Sequence, residues 1–226
     1  VGNYYYMAYT GSTTLDEGLD NNVFVARSAT INGKNWEKWN GSSWGGDPAP
    51  AVDAELSATE TFFGAGEPSL VVKGDQIYLY YTYSDNEQGI YNVRLMTAAA
   101  SDPNWPASMT DQGEVIDRTA FKGLNVDGCS VRYIEDQDCF QAVHGVNVSD
   151  VNSYSVVWVS KDGVSGWERK GLLSNNIRVR AKYARFICNE QSHITSTTPR
   201  LMIYQNGGQY SKTAWPTRMV PYSFVE

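Results

Sequence analysis

The stretch Gly66–Ser84 reads GEPSLVVKGDQIYLYYTYS. A carboxylate, Glu67, stands at the start of a short apolar run, Leu70-Val71-Val72. Lys73-Gly74-Asp75-Gln76 then supplies turn residues, and a β-branched and aromatic run follows from Ile77 to Tyr83. Two such runs about a turn containing Gly-Asp predict an antiparallel hairpin. An acid just before such a strand is buried enough for its surroundings to tune it and open enough to meet a ligand.

The same order of features recurs along the chain. GEPSLVV and QIYLYYTYS are followed by GIYNVRLMTAAASDPNW and DQGEVID. A second set begins near Asp127 with DGCSVRYIED, then DCFQAVHGV, SYSVVWVSKDGVSGW and ERKGLLS. A third opens at Tyr183 with YARFICNE, then PRLMIYQNGG and TRMVPYSFVE. Upstream, NYYYMAYTG, NNVFVARSATINGKNW and EKWNG match the second, third and fourth members of a set. The openings at residues 67, 127 and 183 lie roughly 50–60 residues apart, the period of a four-stranded propeller blade. Helical periodicity is nearly absent, so the fold class is all-β. A β-propeller of four-stranded antiparallel blades, about three and a half of them in one domain spanning residues 1–226, explains the repeated order of strand roles. A β-sandwich, the alternative, does not.

Two third-member ends share a turn. Ser28 to Trp36 and Ser160 to Trp167 both run from Ser through Asn-Gly or Asp-Gly to Trp. Asn32-Gly33 and Asp162-Gly163 suit positive φ, and each Trp is expected to pack between neighbouring blades as part of a structural turn. The long connection from Gly41 to Phe63 carries Trp44, Asp47 and two prolines. Connections of that length serve a purpose, as the wall of a cleft or as a structural wrap.

The net charge of −7 and the absence of a Lys/Arg cluster argue against nucleic acid or an anionic membrane as partner. No run of 18 apolar residues spans a membrane. The first residues, VGNYYYMAYTG, read as a strand already under way rather than a signal peptide. Three cysteines leave one unpaired whatever the connectivity. Cys129 and Cys139 flank a predicted hairpin out of register, so buried thiols are expected. No His/Cys set has zinc spacing, and neither a phosphate loop nor a Ser/His/Asp elbow is present.

On Gly66-Glu67-Pro68-Ser69-Leu70, Gly74 and Tyr78-Leu79-Tyr80-Tyr81, the chain resembles the five-bladed β-propeller glycoside hydrolases, family 43 and its relatives. The VARSATINGKNW and WVSKDGVSGW segments are similar to the third strands of that group. The resemblance implies hydrolysis of a glycosidic bond in a polysaccharide or oligosaccharide, with carboxylates opening successive inner strands. Glu67 matches the position of the general acid. In that alignment the general base and a tuning Asp precede Val1. The resemblance also implies an extracellular or periplasmic location.

Asp127 is the other carboxylate at a blade opening, and paired carboxylates flanking a glycosidic bond are what hydrolysis requires. Its following Gly128 equally marks a turn residue. Trp44 and Tyr81 are candidates for stacking on sugar rings. His144 ends a second strand, and the resemblance places such a His near an axial water or structural calcium; a core histidine is the other reading. Beyond that possible calcium, no cofactor is called for and no metal ligands are assigned. Arg132 and Arg185, in SVRYI and YARFI, stand at what read as equivalent blade positions, and inward-facing guanidiniums suit a carboxylated sugar. Outward-facing arginines paired with Asp or Glu are the alternative. Glu190 and His193 follow the third opening strand. Two other functions fit the same residues: a non-catalytic glycan-binding propeller, and a sialidase-like propeller with its arginines and tyrosine nucleophile.

Overall fold

The structure, a computed structural model, describes residues 1–14, 20–32, 34–54, 64–85, 90–116, 125–149, 152–172, 181–206 and 217–222. Among them every extended element is a strand, and the sole helical pieces are two three-residue 3-10 turns, Trp105–Ala107 and Glu135–Gln137.

The opening hairpin is β4 (Ala65–Lys73) and β5 (Gln76–Asp85), and Lys73 pairs with Gln76 across a two-residue turn. Gly74 takes φ 60° there, which costs a residue without Cβ little. β6 (Ile90–Ala99) and β7 (Thr110–Ile116) complete an antiparallel four-stranded sheet in order β4-β5-β6-β7. The following blade is β8 (Asn125–Ile134), β9 (Cys139–Ser149), β10 (Asn152–Ser160) and β11 (Glu168–Leu172). β12 (Ala181–Phe186), β14 (Leu201–Asn206) and β15 (Thr217–Pro221) form another sheet. Upstream, β1 (Tyr5–Ser12), β2 (Asn21–Ser28) and β3 (Glu37–Lys38) stand as the second, third and fourth strands of a blade. The two-residue β13 (His193–Ile194), which the repeat does not predict, pairs parallel to β8.

The core lies between blades. Val23, Val25 and Trp39 of the first blade pack on Ile77, Leu79, Tyr81 and Trp105 of the next. Tyr80, Val93 and Leu95 face Val131, Phe140 and Trp158. Val143 and Ile134 meet Ala184, Phe186, Met202 and Tyr204. Strands alternate so that each sheet buries both faces, which is why aromatic and β-branched residues fill them.

The Asp162 turn is a structural clasp. Its carboxylate accepts the Val164 and Ser165 amides and the Ser160 and Ser165 hydroxyls, which hold its pKa down at about 2 against the opposing effect of burial. The Gly163 carbonyl accepts the Tyr80 hydroxyl at 2.8 Å, and Trp167 meets the Tyr80 ring edge-on at 6.1 Å. This Trp therefore packs between blades, as the sequence predicts. Its counterpart turn, at Gly33, lies partly outside the described residues, as does the Gly41–Phe63 connection from residue 55 onward. The three cysteines are free thiols, Cys129 and Cys139 buried.

Candidate functional site

The inner strands β4, β8 and β12 each carry the same interruption. In β4, Gly66 pairs with Thr82 and Ser69 with Tyr80, so Glu67 and Pro68 together oppose Tyr81. In β8, Gly128 and Cys129 oppose His144. In β12, Tyr183 and Ala184 oppose Tyr204. Two residues against one is a β-bulge, and the first residue of each takes a left-handed backbone: Glu67 at φ 53°, Gly128 at φ 67° and Tyr183 at φ 53°. Glycine is the natural occupant of that position. A non-glycine residue there costs about 1–2 kcal/mol, so two of the three bulges hold side chains against local preference.

These apices converge. A Cβ on Gly128 would lie 3.5 Å from Glu67 Oε2 and 2.9 Å from Tyr183 Cδ1. The missing side chain lets the Tyr183 ring pack directly on the Gly128 backbone, beside the Glu67 carboxylate. Glu67 is held from the other side, where its amide donates to Thr10 Oγ1 of β1 at 2.7 Å. Both Glu67 and Tyr183 are half-buried.

Register refines the sequence assignment. Gly128, not Asp127, occupies the position of Glu67; Asp127 pairs with Gly145 just before the bulge, as Gly66 pairs with Thr82. The Asp127 side chain, the second carboxylate expected at the site, lies outside what the structure describes. Arg132 and Arg185 are not equivalent: Arg185 directly follows its bulge, whereas Arg132 stands two residues further along from Ser130. Both bridge to the preceding blade. Arg185 donates to the Gly128 carbonyl at 3.0 Å, and Arg132 donates to Ser69 Oγ at 2.9 Å and to the Val131 carbonyl. The two guanidiniums and Glu67 surround Cys129, whose burial pushes its thiol up to about 12.

The remaining candidates lie elsewhere. Tyr81 and His144 sit at equivalent positions beneath the bulges, 3% and 0% exposed, and belong to the core. Burial pushes the Tyr81 phenol up to about 12 and the His144 imidazole down to about 3. The Trp158 indole donates to His144 Nε2 at 3.3 Å. Trp44 packs edge-on against Trp39 and Tyr6 and donates its indole N–H to the Pro103 carbonyl at 2.9 Å. It sits near Tyr6, toward the other end of β1 from Thr10. His193 is bound between blades, Nδ1 to Glu135 at 2.8 Å and Nε2 to the Val72 carbonyl, while Glu190 is exposed.

Tyr183 was legible in the sequence only as the residue opening a blade. Its place beside Glu67 depends on the bulge, which leaves no local signal when the apex is not glycine.

No protein-family model matches the sequence, nor does that of any curated protein. Solved structures do. The chain is similar to an endo-arabinase from Bacteroides thetaiotaomicron, at TM-score 0.61 and 13% identity, over 99% of this chain and 72% of that one. It is similar to a family 117 glycoside hydrolase of the marine bacterium Zobellia galactanivorans, at TM-score 0.60 and 10% identity, over 97% of this chain and 66% of that one. It is also similar to a Bombyx mori family 32 β-fructofuranosidase, at TM-score 0.59 and 11% identity, over 97% and 45%. The chain thus spans about half to two thirds of the length of several of these enzymes. The fold is the β-propeller of the glycoside hydrolases.

Proposed function

We propose that the chain is a glycoside hydrolase acting on a polysaccharide or oligosaccharide, with Glu67 as the general acid. The observation that carries this reading is the backbone of Glu67. Strained left-handed residues persist where the surroundings over-determine them, and they concentrate at functional sites. Here the strain holds a half-buried carboxylate beside the Gly128 apex of the next inner strand and near Tyr183 of the one beyond. Asp127, one residue from the Gly128 apex, is the proposed partner that activates water or attacks the sugar carbon.

In this reading the Tyr183 ring packs on a sugar face. Arg132 and Arg185 hold the inner strands together. An acidic surface and a sugar substrate fit an extracellular or periplasmic setting.

The decisive variant is Glu67→Gln, assayed on an aryl glycoside with a good leaving group and on a polysaccharide by reducing-end release. Loss of an acid lowers polysaccharide hydrolysis by about 10²–10⁴ and spares the activated substrate more, since a good leaving group needs less protonation. Equal rates for parent and variant on both would overturn the assignment. A second reading, a glycan-binding propeller without catalysis, is favoured by Gly128 and Tyr183 standing where further carboxylates would complete the apices. It predicts sugar binding by a parent chain that hydrolyses neither substrate.

A further inference from the structure

The hairpin turn of β4 and β5 lies at the other end of β4 from Glu67, and near it opens a cavity of about 590 Å³. Its wall is part aromatic and part polar: Tyr5, Ile31 and Trp36 from the first blade, Glu190 and Gln191 from the segment before β13. We propose that this cavity is a second carbohydrate site, separate from the Glu67 site, that takes neutral sugar rings.

Three observations carry it. The first is the fate of the blade tryptophans. Trp167 directly precedes β11 and packs on Tyr80 of the neighbouring blade. Trp105, before β7, meets Tyr6 at 5.7 Å in the same way. Trp36 directly precedes β3 and lines the cavity, as Trp105 does, but Trp36 is only half-buried there, beside Tyr5 at 40% exposure and Ile31 at 73%. A half-buried indole in a cavity wall offers apolar surface, and flat aromatic faces are what the apolar side of a sugar ring packs on.

The second is that the polar wall is rigid. The Gln191 carbonyl accepts the Val72 amide at 3.2 Å, and the Ser192 carbonyl accepts the Tyr133 amide at 3.2 Å. Asn189 Oδ1 takes the amides of Gln191 and His193. A segment tied down to β4, β8 and itself holds Glu190 and Gln191 in place without a further ordering cost on binding.

The third is charge. Glu190 accepts hydroxyl protons, Gln191 both accepts and donates, no Lys or Arg side chain is among the lining residues, and the Val1 ammonium there is taken up by the Tyr4 carbonyl at 3.0 Å. Hydroxyls are matched and an anion is not. The volume falls within the range of small-molecule sites and holds a few sugar rings at most.

The test uses the Glu67→Gln chain, so that hydrolysis does not consume the ligand. Xylohexaose and cellohexaose are titrated by calorimetry into this chain and into the same chain carrying Tyr5→Ala or Trp36→Ala. At least one hexasaccharide is expected to bind, with affinity falling about tenfold or more in each aromatic variant. Tyr5 is exposed, so Tyr5→Ala keeps the test decisive should Trp36→Ala fail to fold. Absence of binding to both sugars overturns the proposal, as does binding that Tyr5→Ala leaves unchanged.

Discussion

Glu67 Oε2 and the ring of Tyr183 approach the same point, the place where a side chain on Gly128 would begin. The carboxylate comes from one blade, the phenol from the blade two further on, and the glycine between them lets the two pack this closely. Replacement of Gly128 by alanine puts a methyl group 2.9 Å from Tyr183 Cδ1 and forces a Cβ onto a backbone at φ 67°. Gly128→Ala is expected to cost about 1–3 kcal/mol in urea unfolding and to lower hydrolysis more than its stability loss explains.

The strain at Glu67 makes a prediction of opposite sign. Glycine adopts φ 53° freely, so Glu67→Gly is expected to raise stability by about 1 kcal/mol while abolishing the acid. A thermal midpoint above that of the parent, together with lost polysaccharide hydrolysis, is the expected pair of results. A lowered midpoint would mean that the Glu67 side chain holds the bulge together.

His144 sets an acid limit to stability. Burial lowers its pKa from about 6.5 to about 3, so the folded chain keeps it neutral where the unfolded chain protonates it. The unfolded state therefore binds more protons between those values, and stability falls as pH drops through that window, by at most about 1.4 kcal/mol per pH unit from this group. The urea midpoint is expected to drop from pH 7 to pH 4.5. His144→Gln, which still accepts the Trp158 indole N–H, is expected to flatten that dependence.

Tyr80→Phe removes the hydroxyl that reaches the Gly163 carbonyl across the blade interface at 2.8 Å. The bond is buried, and the carbonyl is left without that donor. A loss of about 1–2 kcal/mol is expected. The far-UV circular dichroism should be unchanged, because the Asp162 clasp keeps its own four hydrogen bonds.

Ser69 is the polar link between β4 and β8. Its hydroxyl accepts the Val131 amide at 3.0 Å and an Arg132 N–H at 2.9 Å, and it lies 3.2 Å from the Val131 carbonyl. Ser69→Ala leaves a buried amide and a guanidinium N–H short of an acceptor, and is expected to destabilise by about 2–3 kcal/mol. Hydrogen exchange at the Val131 amide is expected to quicken more than at amides of β10.

The strand order was readable because its signals are local. Alternating aromatic and β-branched residues mark β5 and β9, Gly74-Asp75 marks the hairpin, and Asp162-Gly163 marks the clasp. What escaped was short or non-local: β13 is two residues long, paired to a distant strand, and its sequence around His193 resembles an exposed turn. Tyr81 and His144 read as site residues because aromatics and histidines serve both ligands and cores. Only the packing of neighbouring blades decided that both face inward.

The sequence by itself determined the blade: four strand roles in fixed order, a Trp before the fourth strand, and an acid at one opening. Periodicity and turn chemistry act between near neighbours, so they survive in a single chain read alone. The tertiary structure decided which residues meet. A bulge shifts register by one residue, and that shift put Gly128 rather than Asp127 opposite Glu67 and set Arg132 and Arg185 two residues out of step. The tertiary packing also brought Tyr183 beside Glu67 and put Trp36 in the wall of a cavity. Each outcome depends on cross-strand pairing and contacts between blades, which no local pattern of residues specifies.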